Sequence, residues 1–146
     1  MKGLTPAEID TVVGTHGHSD HIGNLNLFPH ATVIVSYDIS RGDTFISSRL
    51  GQGEPYKLHE WVEVLPTPGH TGSDVSVVVR NTSIGTVVVA GDLFECKDDL
   101  TDSTIWRDVS EQPEVQEKSR QRVLQIADHI VPGHGKMFRV SRPQDC

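Results

Sequence analysis

The chain has 146 residues, of which 36% are hydrophobic and 23% charged, as in one ordinary globular domain with its own core. No apolar run is long enough to cross a membrane, and the first residues lack the apolar stretch of a signal peptide. The net charge of −7 argues against a nucleic-acid partner, but bound divalent cations would offset part of it, so charge leaves the substrate open.

The first third of the chain predicts short elements around a dense histidine run. Residues 5–8 form a capping box with proline at the first helical position, which predicts a short helix. A buried strand is expected over 11–15, one or two helical turns over 21–27, and a β-branched strand over 32–36. The polar stretch 37–59 carries several glycines and a proline, which predicts a long loop.

The remainder predicts further strands and one long helix. Residues 92–112 are irregular and acidic, and 114–129 form the best predicted helix. Short strands alternating with helices indicate an α/β or α+β sandwich. The strands are expected over residues 61–65, 74–80, 86–90 and 130–131.

Polar side chains follow four of the predicted strands, each beside a glycine corner. His16 follows the first strand, and His70, Asp92 and His134 follow three later ones. Strand ends that lead into tight corners aim several side chains at one point. The sequence therefore predicts one site built from separate parts of the chain.

The candidate ligands are too numerous for a single ion. Residues 16–21 alone hold three imidazoles and one carboxylate, and neutral imidazole is the commonest nitrogen donor for a transition metal. One tetrahedral ion needs about four ligands, and a catalytic ion leaves one position for water. The full set suits two metals that share a bridging carboxylate. The candidates are His16, His18, Asp20, His21, His70, Asp92 and His134.

These motifs, in this order, resemble the signatures of the metallo-β-lactamase superfamily. They are the His-x-His-x-Asp-His run over 16–21, the Pro-Gly-His corner over 68–70, Gly91-Asp92, and Pro-Gly-His-Gly over 132–135. The resemblance implies an α/β fold of the αβ/βα sandwich type. It also implies that one ion is held by His16, His18 and His70, and the second by Asp20, His21 and His134, with Asp92 bridging.

The resembling family carries a first set of β-strands, with an Asp-Thr/Ser-Gly-type motif, ahead of its histidine run. Only fourteen residues precede Thr15 here. We therefore expect a single domain over residues 1–146 that lacks part of its N-terminal β layer, as a truncated product or isoform. A homodimer would cover the sheet left exposed.

A dinuclear centre of this kind implies a metal-dependent hydrolase. Two cations roughly 3.5–4 Å apart lower the pKa of a shared water toward ~7, and Asp20 and Asp92 are the expected catalytic carboxylates that orient the resulting hydroxide. Ligand type and availability favour two zinc ions, although iron and manganese also accept imidazole. No residue is identified as proton donor to the leaving group.

The residues between the motifs resemble a cytosolic and nuclear member of the superfamily assigned as an endoribonuclease on histone pre-mRNA 3′ ends. This resemblance implies an RNA substrate and phosphodiester hydrolysis. Two alternatives stay open: a thioester or other acyl hydrolase of the glyoxalase II type, and an inactive truncated isoform. The stretch between Asp92 and His134 is too short for a large inserted RNA-binding domain, so loops or a partner subunit would hold RNA.

The other histidines and the cysteines are interpreted as structural. His30 precedes a strand, His59 lies in the predicted loop, and His129 is placed in the last helical turn, where its charge would suit the helix dipole. Cys96 is expected to be a packed or idle thiol. Because it lies far from Cys146, no disulfide framework is expected, which favours the cytosol or nucleus.

Two groups of residues outside the motifs carry most of the basic side chains that need an interpretation. In the long loop, a phosphate could be gripped and a base stacked by Arg41, Phe45, Arg49, Tyr56 and Lys57, although a mobile solvated loop is the simpler interpretation. We expect the solvent-exposed face of the predicted helix to carry Lys118, Arg120 and Arg122.

Overall fold

Two mixed β-sheets form the framework of residues 3–141, the part of the chain that the computed structural model describes. The four-stranded sheet has the order β1-β2-β3-β4, with β1 and β2 parallel and the other neighbours antiparallel. Its strands are β1 (Thr11–Gly14), β2 (Thr32–Val35), β3 (Asp38–Arg41) and β4 (Thr44–Phe45).

The six-stranded sheet has the order β10-β9-β8-β7-β6-β5. Its only parallel neighbours are β8 and β9, with Val87 opposite His129, so both strands end at the same edge of the sheet. Its strands are β5 (Tyr56–His59), β6 (Val62–Pro66), β7 (Val75–Thr82), β8 (Gly85–Gly91), β9 (His129–Pro132) and β10 (Phe138–Arg139).

One helix of substantial length accompanies the sheets within residues 3–141. It is α3 (Pro113–Ile126), which begins at a proline whose missing N–H costs nothing there. In the described part of the chain, no helix has the length and apolarity needed to span a membrane. The short helices are α1 (Ser19–Ile22) and α2 (Thr104–Arg107), and single 3-10 turns cover Pro6–Glu8, Leu25–Leu27, Leu50–Gln52 and Lys97–Leu100.

The core lies on both faces of the six-stranded sheet. Successive residues of a strand point to opposite faces, and in β6 Val64 joins the cluster with Ile34 and Ile39 of the other sheet. The next residue, Leu65, packs in the second cluster with Val123 of α3. The order of layers is therefore four-stranded sheet, six-stranded sheet, helix, which confirms the predicted α/β sandwich.

Most predicted strands are confirmed, but the long loop over 37–59 is wrong. That stretch contains β3, β4 and β5. Ser36 and Gly42 both adopt left-handed backbone conformations, with φ of 55° and 61°, which reverse the chain at each end of β3. Ile39 is the one buried residue of β3 and pairs directly with Ile34, so the strand has an apolar anchor although the stretch is otherwise polar.

The C-terminal end of the predicted helix is also wrong. The helix stops at Ile126, and Ala127 is extended with φ −82° and ψ 139°. Asp128 donates its N–H to Thr86 O, which draws the chain into the sheet, so His129 begins β9 instead of ending the helix. His59 likewise lies in β5 and His30 lies in an exposed turn. Cys146 falls outside the described residues, and Cys96 is a half-buried free thiol.

Candidate metal centre

The histidine run leaves the end of β1 and is fixed there by contacts to the other sheet. Val75 donates its N–H to Thr15 O at 2.9 Å, and Thr15 Oγ1 lies 3.2 Å from His16 Nδ1. His16 is buried by this arrangement. The chain then turns into α1, with His21 N–H donating to His18 O. The ring centroids of His18 and His21 lie 4.6 and 4.3 Å, respectively, from that of His16.

His70 is presented by a tight corner after β6. Asp74 accepts hydrogen bonds from Gly69 N at 3.0 Å and Thr71 N at 2.6 Å, which fixes the corner. Gly69 has φ of 144°, and a Cβ there would collide with the backbone of Gln116 in α3. Glycine is therefore required at this position by both its conformation and its close approach to the helix.

Asp92 and His134 follow the parallel neighbours β8 and β9. Gln116 Nε2 donates to Asp92 O at 3.0 Å, and His134 N–H donates to Glu95 O at 2.9 Å. Gly133 lies so close to Asp92 that an added Cβ would collide with Oδ1 of the carboxylate. The two corners are thus packed directly against each other.

The first group of donor atoms surrounds His18. Its Nδ1 lies 3.0 Å from His16 Nε2 and 3.1 Å from His70 Nε2. Asp92 Oδ2 completes the group, 3.7 Å from His16 Nε2 and 3.4 Å from His70 Nε2. Three imidazole nitrogens and one carboxylate oxygen therefore converge within 4.8 Å of one another.

The second group lies on the other side of Asp92. Asp20 Oδ2 is 3.4 Å from His21 Nε2 and 3.7 Å from His134 Nε2. Asp92 approaches this group with both oxygens, Oδ1 at 3.2 Å from His21 Nε2 and Oδ2 at 3.3 Å from His134 Nε2. The structure thus brings all seven candidate ligands together, with Asp92 between the two groups.

The donor atoms fit a pair of transition-metal ions. His21 Nε2 and Asp92 Oδ1 are buried and have no hydrogen-bond partner within residues 3–141, an arrangement that is costly unless a cation joins them. Burial lowers the pKa of His16 to about 4, although the Asp92 charge opposes this, and burial also lowers the pKa of His70. Both imidazoles are therefore neutral near pH 7, the form that binds metal.

Glu95 is a residue of the site that sequence reasoning missed. Its Oε1 lies 3.7 Å from His70 Nδ1, and its Oε2 lies 3.9 Å from His134 Nε2. Burial, reinforced by the Asp92 charge, raises the pKa of Glu95 to about 7. Its sole signal in the sequence is its place three residues after Asp92, within a stretch predicted only to be irregular and acidic.

Arg120 was predicted to be solvated, and this is wrong. It is buried, and its guanidinium donates to Asp99 Oδ1 at 2.8 Å and to Leu93 O at 2.8 Å. Asp99 Oδ2 in turn accepts the Glu95 N–H at 2.8 Å, so the ion pair supports the segment after Asp92. The other two basic residues that were predicted to face solvent on this helix are exposed as expected. They are Lys118 and Arg122.

The basic residues of the predicted loop, together with Phe45, have exposed side chains and lie in strands or next to them. Arg41 ends β3, Lys57 lies in β5, and Phe45 in β4 is 77% exposed. Arg49 is already engaged, because its guanidinium pairs with Glu54 at 2.8 Å. The interpretation as a loop is therefore wrong for the ten residues of this stretch that lie in β3, β4 and β5.

Comparison with known proteins identifies the family of this centre. The sequence profile described as "Metallo-beta-lactamase superfamily" matches residues 1–134. The chain belongs to the metallo-β-lactamase superfamily. Its fold is that of the superfamily's metal-dependent hydrolases, and its His/Asp cluster is consistent with a site for two metal ions.

Curated relatives in the superfamily are similar over nearly the whole chain. "Metallo-beta-lactamase domain-containing protein 1" of Xenopus laevis is 55% identical over 95% of this chain, and the protein of the same name in Homo sapiens is 54% identical over 97%. The chain spans 59% and 53%, respectively, of the lengths of these two relatives.

The fold is also found among solved structures of the superfamily. An N-acyl homoserine lactone hydrolase, solved with a product bound at its catalytic metal centre, aligns with a TM-score of 0.68 and 21% identity. The alignment covers 91% of this chain and 58% of that protein. At this level of identity the likeness establishes the shared fold.

Proposed function

We propose that this chain carries a two-zinc hydrolase centre that cleaves phosphodiester bonds of single-stranded RNA. The observation that carries the proposal is the position of Asp92. One of its oxygens lies 3.4 Å from His70 Nε2, and its other oxygen lies 3.2 Å from His21 Nε2. A carboxylate placed between two groups of donor atoms is suited to bridge two cations.

The ligand roles in this proposal follow the two groups of donor atoms. His16, His18 and His70 would hold one ion, and the second would be held by Asp20, His21 and His134, with Asp92 shared. When bound, such a pair supplies charge neutralisation for the attacking and leaving oxygens of an in-line displacement and a water of lowered pKa. Zinc is proposed because imidazole-rich sites suit it and it is readily available.

The chain's own carboxylates have the catalytic roles. Asp92 is buried, and both of its oxygens are aimed at the two donor groups, so it fixes their separation. Asp20 lies on the open side with its side chain 59% exposed, where it can accept a hydrogen bond from the attacking water and orient it. Glu95, 3.7 Å from His70 Nδ1, would steady the far side of that imidazole.

The exposure of the centre supports a polymeric substrate. His16, His70 and Asp92 are buried beneath it, whereas Asp20 is 59% and His134 50% exposed. The centre therefore opens to solvent on the side of its second donor group, and an extended strand can approach without entering a tunnel. RNA is proposed as the polymer because the residues between the motifs resemble a superfamily member assigned as an endoribonuclease.

Further parts of the proposal concern the protein around the centre. We propose that residues 1–146 act as one domain in the cytosol or nucleus and that two copies pair. In the described residues β1 has only β2 as a neighbour, so its other edge is available for strand addition. Light scattering on the purified chain tests the pairing, with the mass of two chains expected and the mass of one chain contradicting it.

The substrate is tested by a side-by-side assay on the zinc-loaded chain. We expect cleavage of a labelled single-stranded RNA, and loss of that cleavage in His70→Ala and after chelation. Cleavage of S-lactoylglutathione alone would contradict the ribonuclease proposal and favour an acyl hydrolase. A chain that binds two equivalents of zinc but cleaves neither substrate would contradict both.

A further inference from the structure

A groove outside the metal centre runs beside α3. It has a volume of about 380 Å³ and lies between the turn that contains Gly51 and Gly53, the end of β6, and the helix. Its apolar lining includes Pro68 and Val115, and it is flanked by the side chains of Tyr37, Lys118 and Arg122. We call it the α3 groove.

The charge of the α3 groove is opposite to that of the chain. Lys118 and Arg122 lie one helical turn apart, both are exposed, and neither has an ion-pair or hydrogen-bond partner within the described residues 3–141. By contrast, Arg107 pairs with Glu114 at 2.9 Å, and Arg120 is paired in the interior. In a chain of net charge −7, two uncommitted cations on one groove mark a site for an anion.

Tyr37 gives the groove an aromatic wall. The side chain is half-buried, and its hydroxyl has no hydrogen-bond partner within residues 3–141. Burial and the nearby Asp74 charge raise the pKa of Tyr37, so the hydroxyl remains a neutral donor. An aromatic face beside two cations is the combination that single-stranded nucleic acid uses, with a base on the ring and phosphates on the cations.

The groove reaches the corner that carries a candidate metal ligand. Pro68, which lines it, is two residues before His70, so their Cα atoms are at most about 7.6 Å apart. Ser119 Oγ donates to Pro68 O at 2.8 Å, which ties α3 to this corner. The groove therefore borders the corner that presents His70.

We propose that the α3 groove binds a segment of single-stranded RNA adjacent to the bond that is cleaved. Lys118 and Arg122 would contact successive phosphates, and Tyr37 would stack on a base. The inference rests on the proposed RNA substrate, but it concerns binding, which can be measured without cleavage.

The test measures fluorescence anisotropy of the zinc-loaded chain with a labelled 12-residue RNA that is 2′-O-methylated and phosphorothioate-linked to resist hydrolysis. The variant Lys118→Ala/Arg122→Ala should bind about tenfold more weakly. The slope of log affinity against log salt should fall by about 1.4, as expected for two lost single-strand phosphate contacts. Tyr37→Leu, which keeps apolar volume but removes the ring, should weaken binding about fivefold or more.

The matched control removes two cations that neither line the groove nor belong to the basic group of residues 41–57. Arg80→Ala/Arg139→Ala lowers the net charge equally at surface positions of the six-stranded sheet, and it should change affinity less than twofold. Equal losses in the two double variants would overturn the inference, since charge alone would then explain them. No loss in the groove variant would overturn it too, as would equally tight binding of a polyglutamate chain.

Cleavage is scored separately with ordinary RNA of the same sequence. A chain that binds through the groove but cleaves no RNA contradicts the proposed function and supports the binding site. If the parent chain cleaves RNA and the groove variant binds RNA as tightly as the parent, the proposed function is supported and the proposed binding site is overturned.

Discussion

The four-stranded sheet contributes its candidate ligands as a single run of residues, 16–21, whereas the six-stranded sheet contributes His70, Asp92 and His134 from three separate corners. The run is spaced by the local chain itself, through a turn and the start of α1. The corners depend on distant contacts, such as Gln116 to Asp92 O. We conclude that the spacing within the run is set by local sequence, whereas the positions of the three corners, and the attachment of the run to the other sheet through Val75, depend on tertiary packing.

The largest expected effect lies on the six-stranded side. Arg120→Met would leave Asp99 buried and unpaired, and removing one partner of a buried ion pair costs about 3–5 kcal/mol of unfolding free energy. Urea unfolding measures the loss. Arg122→Met, an exposed position on the same helix, should change stability by less than about 0.5 kcal/mol. If both variants lose an equally small amount of unfolding free energy, the six-stranded sheet does not depend on the Arg120–Asp99 ion pair.

A glycine in each region sharpens the comparison. Gly133→Ala places a methyl group against Asp92 Oδ1, and such overpacking costs about 1–3 kcal/mol, which should appear as weaker metal binding. Gly17→Ala, in the middle of the histidine run, meets nothing within 4 Å and should bind metal as the parent does. Calorimetric titration with zinc measures both. Equal affinities for the two variants would contradict the close packing of the corners.

The support that Glu95 gives to His70 predicts a smaller loss. Glu95→Ala should weaken zinc affinity about tenfold, the lower end of the range typical when the partner of a ligand is removed, because Glu95 Oε1 lies 3.7 Å from His70 Nδ1 without a hydrogen bond. Glu95→Gln keeps an acceptor oxygen and should lose less. Competition with a chromogenic chelator gives these affinities, with Glu60→Ala as an exposed carboxylate control. A Glu95→Ala affinity equal to that of the control would remove Glu95 from the site.

The smallest effect concerns the corner of His70. Burial raises the pKa of Asp74 to about 6 from its ordinary 3.8, although hydrogen bonds from Thr71 and Gly69 oppose this. The folded chain therefore binds this proton more tightly than the unfolded chain, and the group favours folding as the pH falls through 6 toward 4. That contribution is lost as the pH rises through 6.

Comparison with Asp74→Asn isolates this group. Between pH 7 and pH 5 the parent should gain about 1 kcal/mol of stability relative to the variant, since one unit of pKa shift corresponds to about 1.4 kcal/mol. Unfolding curves at both pH values give the difference. A constant difference, or a gain toward higher pH, would show that the hydrogen bonds outweigh burial at this carboxylate.

The same contrast explains what the sequence could predict. The histidine run, the glycine corners and most strands carry local signals, so the seven candidate ligands could be named before the fold was seen. Arg120 carries no such signal, and Glu95 carries only its place three residues after Asp92. Their roles depend on Asp99, His70 and His134, which are distant in the chain or lie across a turn. The strand β3 lacks a local signal for a similar reason, since Ile39 is its one buried residue and its pairing partners lie in the neighbouring strands β2 and β4.

The central claim is that Asp92 joins two metal sites, and metal stoichiometry tests it most directly. The chain is loaded with zinc, freed of excess metal and analysed for metal by mass spectrometry, beside Asp92→Asn. The account predicts two equivalents per chain for the parent and at most one for the variant, because the amide cannot supply two anionic oxygens. A parent with one equivalent, or a variant that retains two with unchanged affinity, would contradict it.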